Sequence, residues 1–348
     1  MQKIATTILF AMAAISAMGQ LSAVAHFESS YSAKPWGRPL ESEDQARHLR
    51  GADLSHIAVE VDYAFARGWS AAAELQVEHG LGAVPAIDPI GSRQTNVSIE
   101  QMWIRKDFGT AFGLTLGKVG VTIGGLNFAD LPDDYLGVYA PIGESAVVPG
   151  GWHRYGLMAS GELTHWSYEA AVYVPLTSAQ YSGMWLAENE LNARLGAAAR
   201  IDNYSIDGLH LGASGFWGQY HPDGAAPLTV GVAAVDADYT RGRLRGRAGA
   251  VYGHRRAGGR GANAIGGDME LGVDIMPAMV ADNGGELFVF GRYDAFSLPA
   301  DGARTVRHRL SAGADWFPIP HLVIKAEWAW CRASTIGIAI GYVGHFGR

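Results

Sequence analysis

The chain has 348 residues, 46 of them glycine, with 18% charged and 48% hydrophobic side chains and a formal charge of −7. That composition excludes a disordered chain and a helical bundle, and it suits short strands joined by tight turns. The acidic balance excludes nucleic acid as a partner, and the single cysteine, Cys331, excludes an intrachain disulfide.

The N-terminus reads as an export signal. Met1–Lys3 is a short basic start, Ile4–Met18 an apolar core, and Ala23-Val24-Ala25 an A-x-A site with cleavage expected before His26. An N-terminal anchor helix is disfavoured because the apolar core is too short. Removal of residues 1–25 takes out Lys3 and no acid, making the exported chain more acidic still. Downstream, no apolar run approaches the roughly 18 residues of a membrane-spanning helix, so any membrane crossing is made by strands.

Residues 26–52 are polar and irregular, with Pro35, Pro39 and the run Glu41-Ser42-Glu43-Asp44, and they read as an irregular lead-in or plug. Period-2 alternation then starts. In Leu54–Ala66, Ile57, Val59, Val61, Tyr63 and Phe65 share one side, with His56, Glu60 and Asp62 between them. After Arg67-Gly68 the pattern repeats through Glu78, which makes an antiparallel hairpin. Like segments follow at Asn96–Asp107, Ala111–Lys118, Trp152–Leu163, Trp166–Leu176, Glu190–Ile201, Leu209–Tyr220, Leu228–Tyr239 and Arg243–Tyr252. The last are Asp268–Met276, Glu286–Phe296, Thr305–Phe317, His321–Trp330 and Thr335–Phe346.

This spacing predicts an all-β fold, a transmembrane antiparallel β-barrel of 14–16 strands over residues 53–348. A soluble β-sandwich alternates too. Against it stand aromatics placed as interfacial girdles (Trp69, Trp103, Trp166, Trp316, Trp328, Trp330, Tyr342) and a final strand with Ile336, Ile338 and Ile340 on one face.

One long stretch, Val119–Trp152, interrupts the strands. Loops of that length without structure of their own are usually functional. It carries Asp130, Asp133, Asp134 and Glu144, and is expected to fold into the barrel as a constriction loop; an ordinary surface loop is the plainer alternative. Arg243, Arg245 and Arg247 share one face at period 2, and so do Arg307 and Arg309. If the other face meets lipid, these arginines point into the lumen, where charge biases the ions that pass. They also suit wall pairing, with Asp238 across from Arg245 and Asp236 across from Arg247. An acidic loop facing an arginine wall would set a transverse field.

Enzyme signatures are absent: no G-x-S-x-G, P-loop, H-E-x-x-H or paired C-x-x-C. Twelve scattered histidines lack ligand spacing. No catalytic residue, metal or cofactor is therefore assigned, and a membrane-embedded hydrolase stays a minor alternative because its triad needs no local motif.

Trp69-Ser70, Glu74 with Glu78-His79-Gly80, Ile99-Glu100-Gln101-Met102-Trp103-Ile104, Tyr139-Ala140-Pro141-Ile142-Gly143-Glu144-Ser145 and Pro149 with Trp152-His153 together resemble Gram-negative outer-membrane porins. Together they look like a porin group related to the phosphate-selective porin O/P family. This resemblance implies an outer-membrane location with lipid contacts, passive diffusion of small hydrophilic solutes or ions, and a homotrimer among the assemblies; the arginine rows add an anion bias. The family's lysine clusters are not matched, since Lys34, Lys106, Lys118 and Lys325 lie apart, so phosphate selectivity is not carried over. The alternative to a channel is a non-conducting structural or adhesive barrel, with residues 26–52 as the plug.

Overall fold

The computed structural model describes residues 20–32, 51–78, 96–127, 129, 131–148, 150–174, 193–220, 228–277, 285–298, 306–331 and 333–347. Its strands are β1 Gln20–Ser32, β2 Gly51–Ala66, β3 Trp69–Glu78, β4 Asn96–Asp107, β5 Gly113–Gly120, β6 His153–Leu163, β7 Trp166–Tyr173 and β8 Ala193–Ile206. The second half holds β9 Leu209–Tyr220, β10 Leu228–Arg241, β11 Leu244–Ala257, β12 Arg260–Asp274, β13 Glu286–Ser297, β14 Arg307–Ile319, β15 Leu322–Cys331 and β16 Ala333–Gly347. Each strand pairs antiparallel with its chain neighbours, and β1 pairs with β16 to close a sixteen-stranded barrel. One helical turn, α1 Ile142–Ser145, lies in the β5–β6 connection.

Closure removes every sheet edge, the condition for a sheet to stand in lipid. The alternation then sorts side chains. Val59, Leu75, Leu116, Val235, Met269, Ile338 and their like are exposed on the outside. Trp69, Trp166, Trp316, Trp328, Trp330 and Tyr342 are exposed too, as the girdle reading expects. Trp103 is the exception. A bulge between β3 and β4, at Ala73/Leu75, puts Ile99 and Met102 both outward and turns Trp103 inward, where its indole N–H donates to Gln101 Oε1 at 3.1 Å.

The strands join by tight turns at one end, including Arg67-Gly68, Asp207-Gly208 and Gly242-Arg243. Gly68 has φ +67°, and a Cβ there would meet the Asp107 carbonyl. With the start of β1 and the end of β16 on that side, the connections after β1, β3, β5 and β7 fall at the other end.

Three expectations are corrected. The first concerns residues 26–52: His26–Ser32 is the second half of β1, the strand the sequence pattern leaves unplaced, and residues 33–50 lie outside the described residues. Its alternation is ordinary, with His26 and Glu28 on one face and Phe27 and Tyr31 exposed on the other. The small residues Ala23 and Ala25 hid it, because in sequence they read as a cleavage site. The second is the segment expected at Asp268–Met276, which begins at Arg260, because the β11–β12 turn is only Gly258-Gly259 wide. The third is a register. Asp238 faces Arg247, Thr240 faces Arg245 and Asp236 faces Gly249, because the β10–β11 turn centres on Gly242-Arg243 rather than on Thr240–Gly242.

Val235, midway along β10, tests the lipid face. Val235→Arg is expected to cost about 2–4 kcal/mol, read as a lowered urea midpoint for protein refolded into vesicles. An unchanged midpoint would mean β10 does not face lipid.

Candidate functional site: a loop docked across the lumen

Between β5 and β6 the chain leaves the wall and runs through the barrel. Its neck is closed by Asn127, whose amide donates to the carbonyls of Val121 and Trp152 at 2.6 and 3.3 Å and accepts the Trp152 N–H at 2.6 Å. The Val121 N–H also donates to the Trp152 carbonyl, at 2.7 Å. The loop has a single turn of helix, so nearly all its buried backbone groups need partners from elsewhere.

The barrel wall supplies them. Loop N–H groups donate to wall carboxylates: Leu136 to Glu270 at 3.0 Å, Gly137 to Asp315 at 2.9 Å, and Val138 and Tyr139 to Glu327 at 2.8 and 3.0 Å. Asp294 takes the N–H of Ile142 at 2.7 Å and Gly143 at 3.3 Å at the start of α1, and Asp268 takes that of Glu144 at 3.1 Å. Loop carbonyls are held by wall cations. Arg200 donates to Gly124, Arg247 to Gly125, Arg245 to Asp133, Lys325 to Tyr135, Arg292 to Leu136 and Arg309 to Ala140.

These wall charges are also tied to each other. Arg292 reaches Glu270 at 3.0 Å, Glu327 at 2.8 Å and Asp294 at 3.6 Å; Arg309 reaches Asp294 at 3.0 Å; Arg200 reaches Asp236 and Asp202, both at 2.7 Å. Charge-assisted bonds of this length are the strong class. Arg292 and Arg309 are at most 2% exposed, so each depends on its carboxylates.

An apolar layer backs the ionic one. Loop residues Val121, Ile123, Ile142, Val147, Val148 and Trp152 pack with Tyr173, Phe216, Val230, Val232, Val251 and Phe296 of the wall. Trp152 and Phe216 stand 4.6 Å apart between ring centroids. Leu136 enters a second group with Phe288, Phe290, Phe317 and Val323. Where the loop sits, the inner face of the barrel is therefore greasy as well as charged.

The residues singled out in the sequence take distinct places. Glu144 is buried, and its carboxylate accepts the N–H groups of Leu126 at 2.9 Å and Gly125 at 3.1 Å, folding the loop on itself. Burial pushes its carboxyl above the usual range, with those two donors pulling the other way. Asp134 accepts the Leu131 N–H at 2.8 Å, and burial raises its carboxyl too. Asp133 is partly exposed, with His321 3.8 Å from its carboxylate. Asp130 lies outside the described residues. Arg245, Arg247 and Arg309 meet the loop backbone; Arg247 also stands 3.4 Å from Asp238. Arg307 lies over the Phe296 ring, 6.0 Å from its centroid. Arg243 sits in the exposed β10–β11 turn, not on the arginine row, because β11 begins at Leu244. Arg200, Arg292, Lys325 and their acids Glu270, Asp294 and Glu327 were not singled out by the sequence. Each is one polar position in an alternating strand, with nothing nearby in sequence to mark it.

The loop lies against β7 to β16 and turns its other flank to β1 and β2. There a cavity of about 240 Å³ remains, edged by Glu28, Ser55 and His56 on the wall and by Tyr135 and Ser145 on the loop. The adjoining wall is acidic, carrying Glu60, Asp62, Glu74 and Glu100, with the Gln101 amide donating to Glu60 at 2.9 Å and Glu74 at 3.0 Å.

Arg292→Met removes the cation shared by Glu270, Asp294 and Glu327. It is expected to destabilise the protein by about 3–5 kcal/mol and to speed limited proteolysis between residues 131 and 148. Unchanged protection would mean that the loop is held by the apolar layer alone.

No family model and no curated protein matches the sequence. Solved structures do match the fold. The anion-selective porin from Comamonas acidovorans is 10% identical, with TM-score 0.60 over 94% of this chain and 99% of that one. Salmonella typhi OmpF in complex with daunomycin is 10% identical, with TM-score 0.63 over 94% and 99%. The in-vitro folded OmpT of Vibrio cholerae, in its trimer form, is 10% identical, with TM-score 0.62 over 94% and 99%. At such identities the likeness is one of fold, and by fold this chain is a closed sixteen-stranded barrel of the porin type.

Proposed function

We propose that the protein is an outer-membrane diffusion channel for small hydrophilic solutes, working without energy input, catalytic group, cofactor or metal. The observation that carries this reading is the one-sided docking of the β5–β6 loop. It narrows a wide barrel by covering one wall, and on the other flank leaves a cavity edged by Glu28, Ser55 and His56, which we take as part of the solute path. The lipid-facing exterior and the porin fold support an outer-membrane location, and the trimer form of the Vibrio neighbour supports a homotrimer. The described part of the motifs resembling the phosphate-selective porin O/P-like group falls on β3, β4, the docked loop and the start of β6, while His79, Gly80 and Pro149 lie outside the described residues.

On selectivity, the arginines that the sequence offered as anion guides are engaged with the loop backbone. The wall left uncovered carries Glu28, Glu60, Asp62, Glu74 and Glu100 among its described residues; Glu28 stands 3.9 Å from Lys325 and Glu100 2.8 Å from His153, so the expectation for ions rests on Glu60, Asp62 and Glu74. A ring of carboxylates favours cations, so cations are expected to pass more readily than anions. The anion bias the arginine rows suggested is the contrary outcome. A second reading, a non-conducting structural barrel, has one observation in its favour: loop residues Leu136 and Trp152 fill lumen space and are fully buried.

A planar-bilayer recording of the refolded protein decides between them. Stepwise conductance is expected, with a reversal potential of cation sign in a salt gradient; absence of steps favours the closed barrel. Replacing Glu60 by Gln and Asp62 by Asn should move the reversal potential toward anions. A potential unmoved by both would place those carboxylates away from the ion path.

A further inference from the structure

The seam that closes the barrel bears on where the export leader ends. β1 runs Gln20–Ser32 and is bonded on both sides. On β16 it pairs Ser22 with Gly347, Ala23 with Phe346, Val24 with His345 and Ala25 with Gly344. On β2 it pairs Gln20 with Ala64 and continues through Ala25 with Val59. A chain cut after Ala25 would lose all these rungs. The ends of β2 and β16 would then face each other across a gap at the closing seam, with unpaired N–H and C=O groups where lipid or the interface offers few substitutes. Ala23, only 7% exposed, would be lost from between the two strands.

Ala23 and Ala25 both lie within this paired strand, so they have a place in the wall that needs no cleavage site. A second small-x-small site stands immediately before the strand: Ala17-Met18-Gly19, followed by Gln20. The basic start Met1–Lys3 and the apolar run Ile4–Ile15 precede it at the spacing of a leader.

We propose that the leader is removed between Gly19 and Gln20, so that Gln20 is both the mature N-terminus and the first residue of the barrel wall. The step is a hydrolysis. Water adds across the Gly19–Gln20 amide, the leader departs with the Gly19 carboxylate, and Gln20 keeps a free amine. The agent is an envelope peptidase that reads small side chains one and three residues before the cut. This inference rests on the outer-membrane location proposed above and sharpens the export leader expected from the sequence.

The intact mass of protein extracted from outer membranes of expressing cells tests it. A chain beginning at Gln20 is expected. Its form with the terminal glutamine closed on its own side-chain carbonyl, with loss of ammonia, counts equally. A chain beginning at His26, or elsewhere downstream, overturns the inference while leaving export intact. A chain still beginning at Met1 overturns both. Two variants separate the sites: Gly19→Leu should make the uncleaved precursor accumulate, whereas Ala25→Leu should leave the mature N-terminus where it was. A precursor that accumulates in Ala25→Leu but not in Gly19→Leu would restore the downstream site.

Discussion

The bonding between the β5–β6 loop and the charged wall is the arrangement on which the rest depends. A long segment without regular structure cannot be buried unless its backbone groups find partners. Here the far wall provides both signs. Carboxylates of β12 to β15 take the loop N–H groups, and cations of β8, β11, β13, β14 and β15 take its carbonyls. The two sets neutralise each other through Arg292, Arg309 and Arg200, so burying them costs less than burying either alone. Loop and wall are mutually required: without the loop the wall is an expanse of charge, and without the wall the loop is a run of unpaired amides.

That reciprocity sets the electrical character of the lumen. Cations that would be free in an open barrel become structural, and the wall the loop leaves uncovered is an acidic strip on β1 to β4. The geometry of the loop adds to the effect. Gly137, at φ +85°, lies where a Cβ would press on Glu327 and Phe290, so backbone and wall approach as closely as chemistry allows. The apolar layer around Trp152 and Phe216 keeps water from competing for these bonds.

The barrel seam follows a second constraint, that lipid tolerates no open sheet edge. Closure by β1 and β16 makes residues near the chain's start part of the wall. A stretch whose composition looks like the end of an export signal is, in three dimensions, a strand with partners on both sides.

Much of this was legible in the sequence. Strict alternation places Leu209–Tyr220 as a strand to the residue, because one face must meet lipid and the other water, and a one-residue slip would exchange them. Gly and turn residues at regular spacing announce the hairpins, and the length of the stretch after β5 marks it as unusual. The places that escaped it have separate physical causes. β1 was hidden by small residues that serve strand packing and peptidase recognition equally well. Trp103 was misassigned because a bulge changes the facing of one strand without any signal in its own residues. Arg245 and Arg247 could be aimed inward from period alone, but whether they meet ions or a backbone carbonyl depends on a loop more than a hundred residues away. The sequence by itself determines which faces are greasy and which are polar, since that is local and periodic. Which charges stay open to solvent is decided only by the tertiary structure, because it follows from contacts between segments that share no sequence neighbourhood.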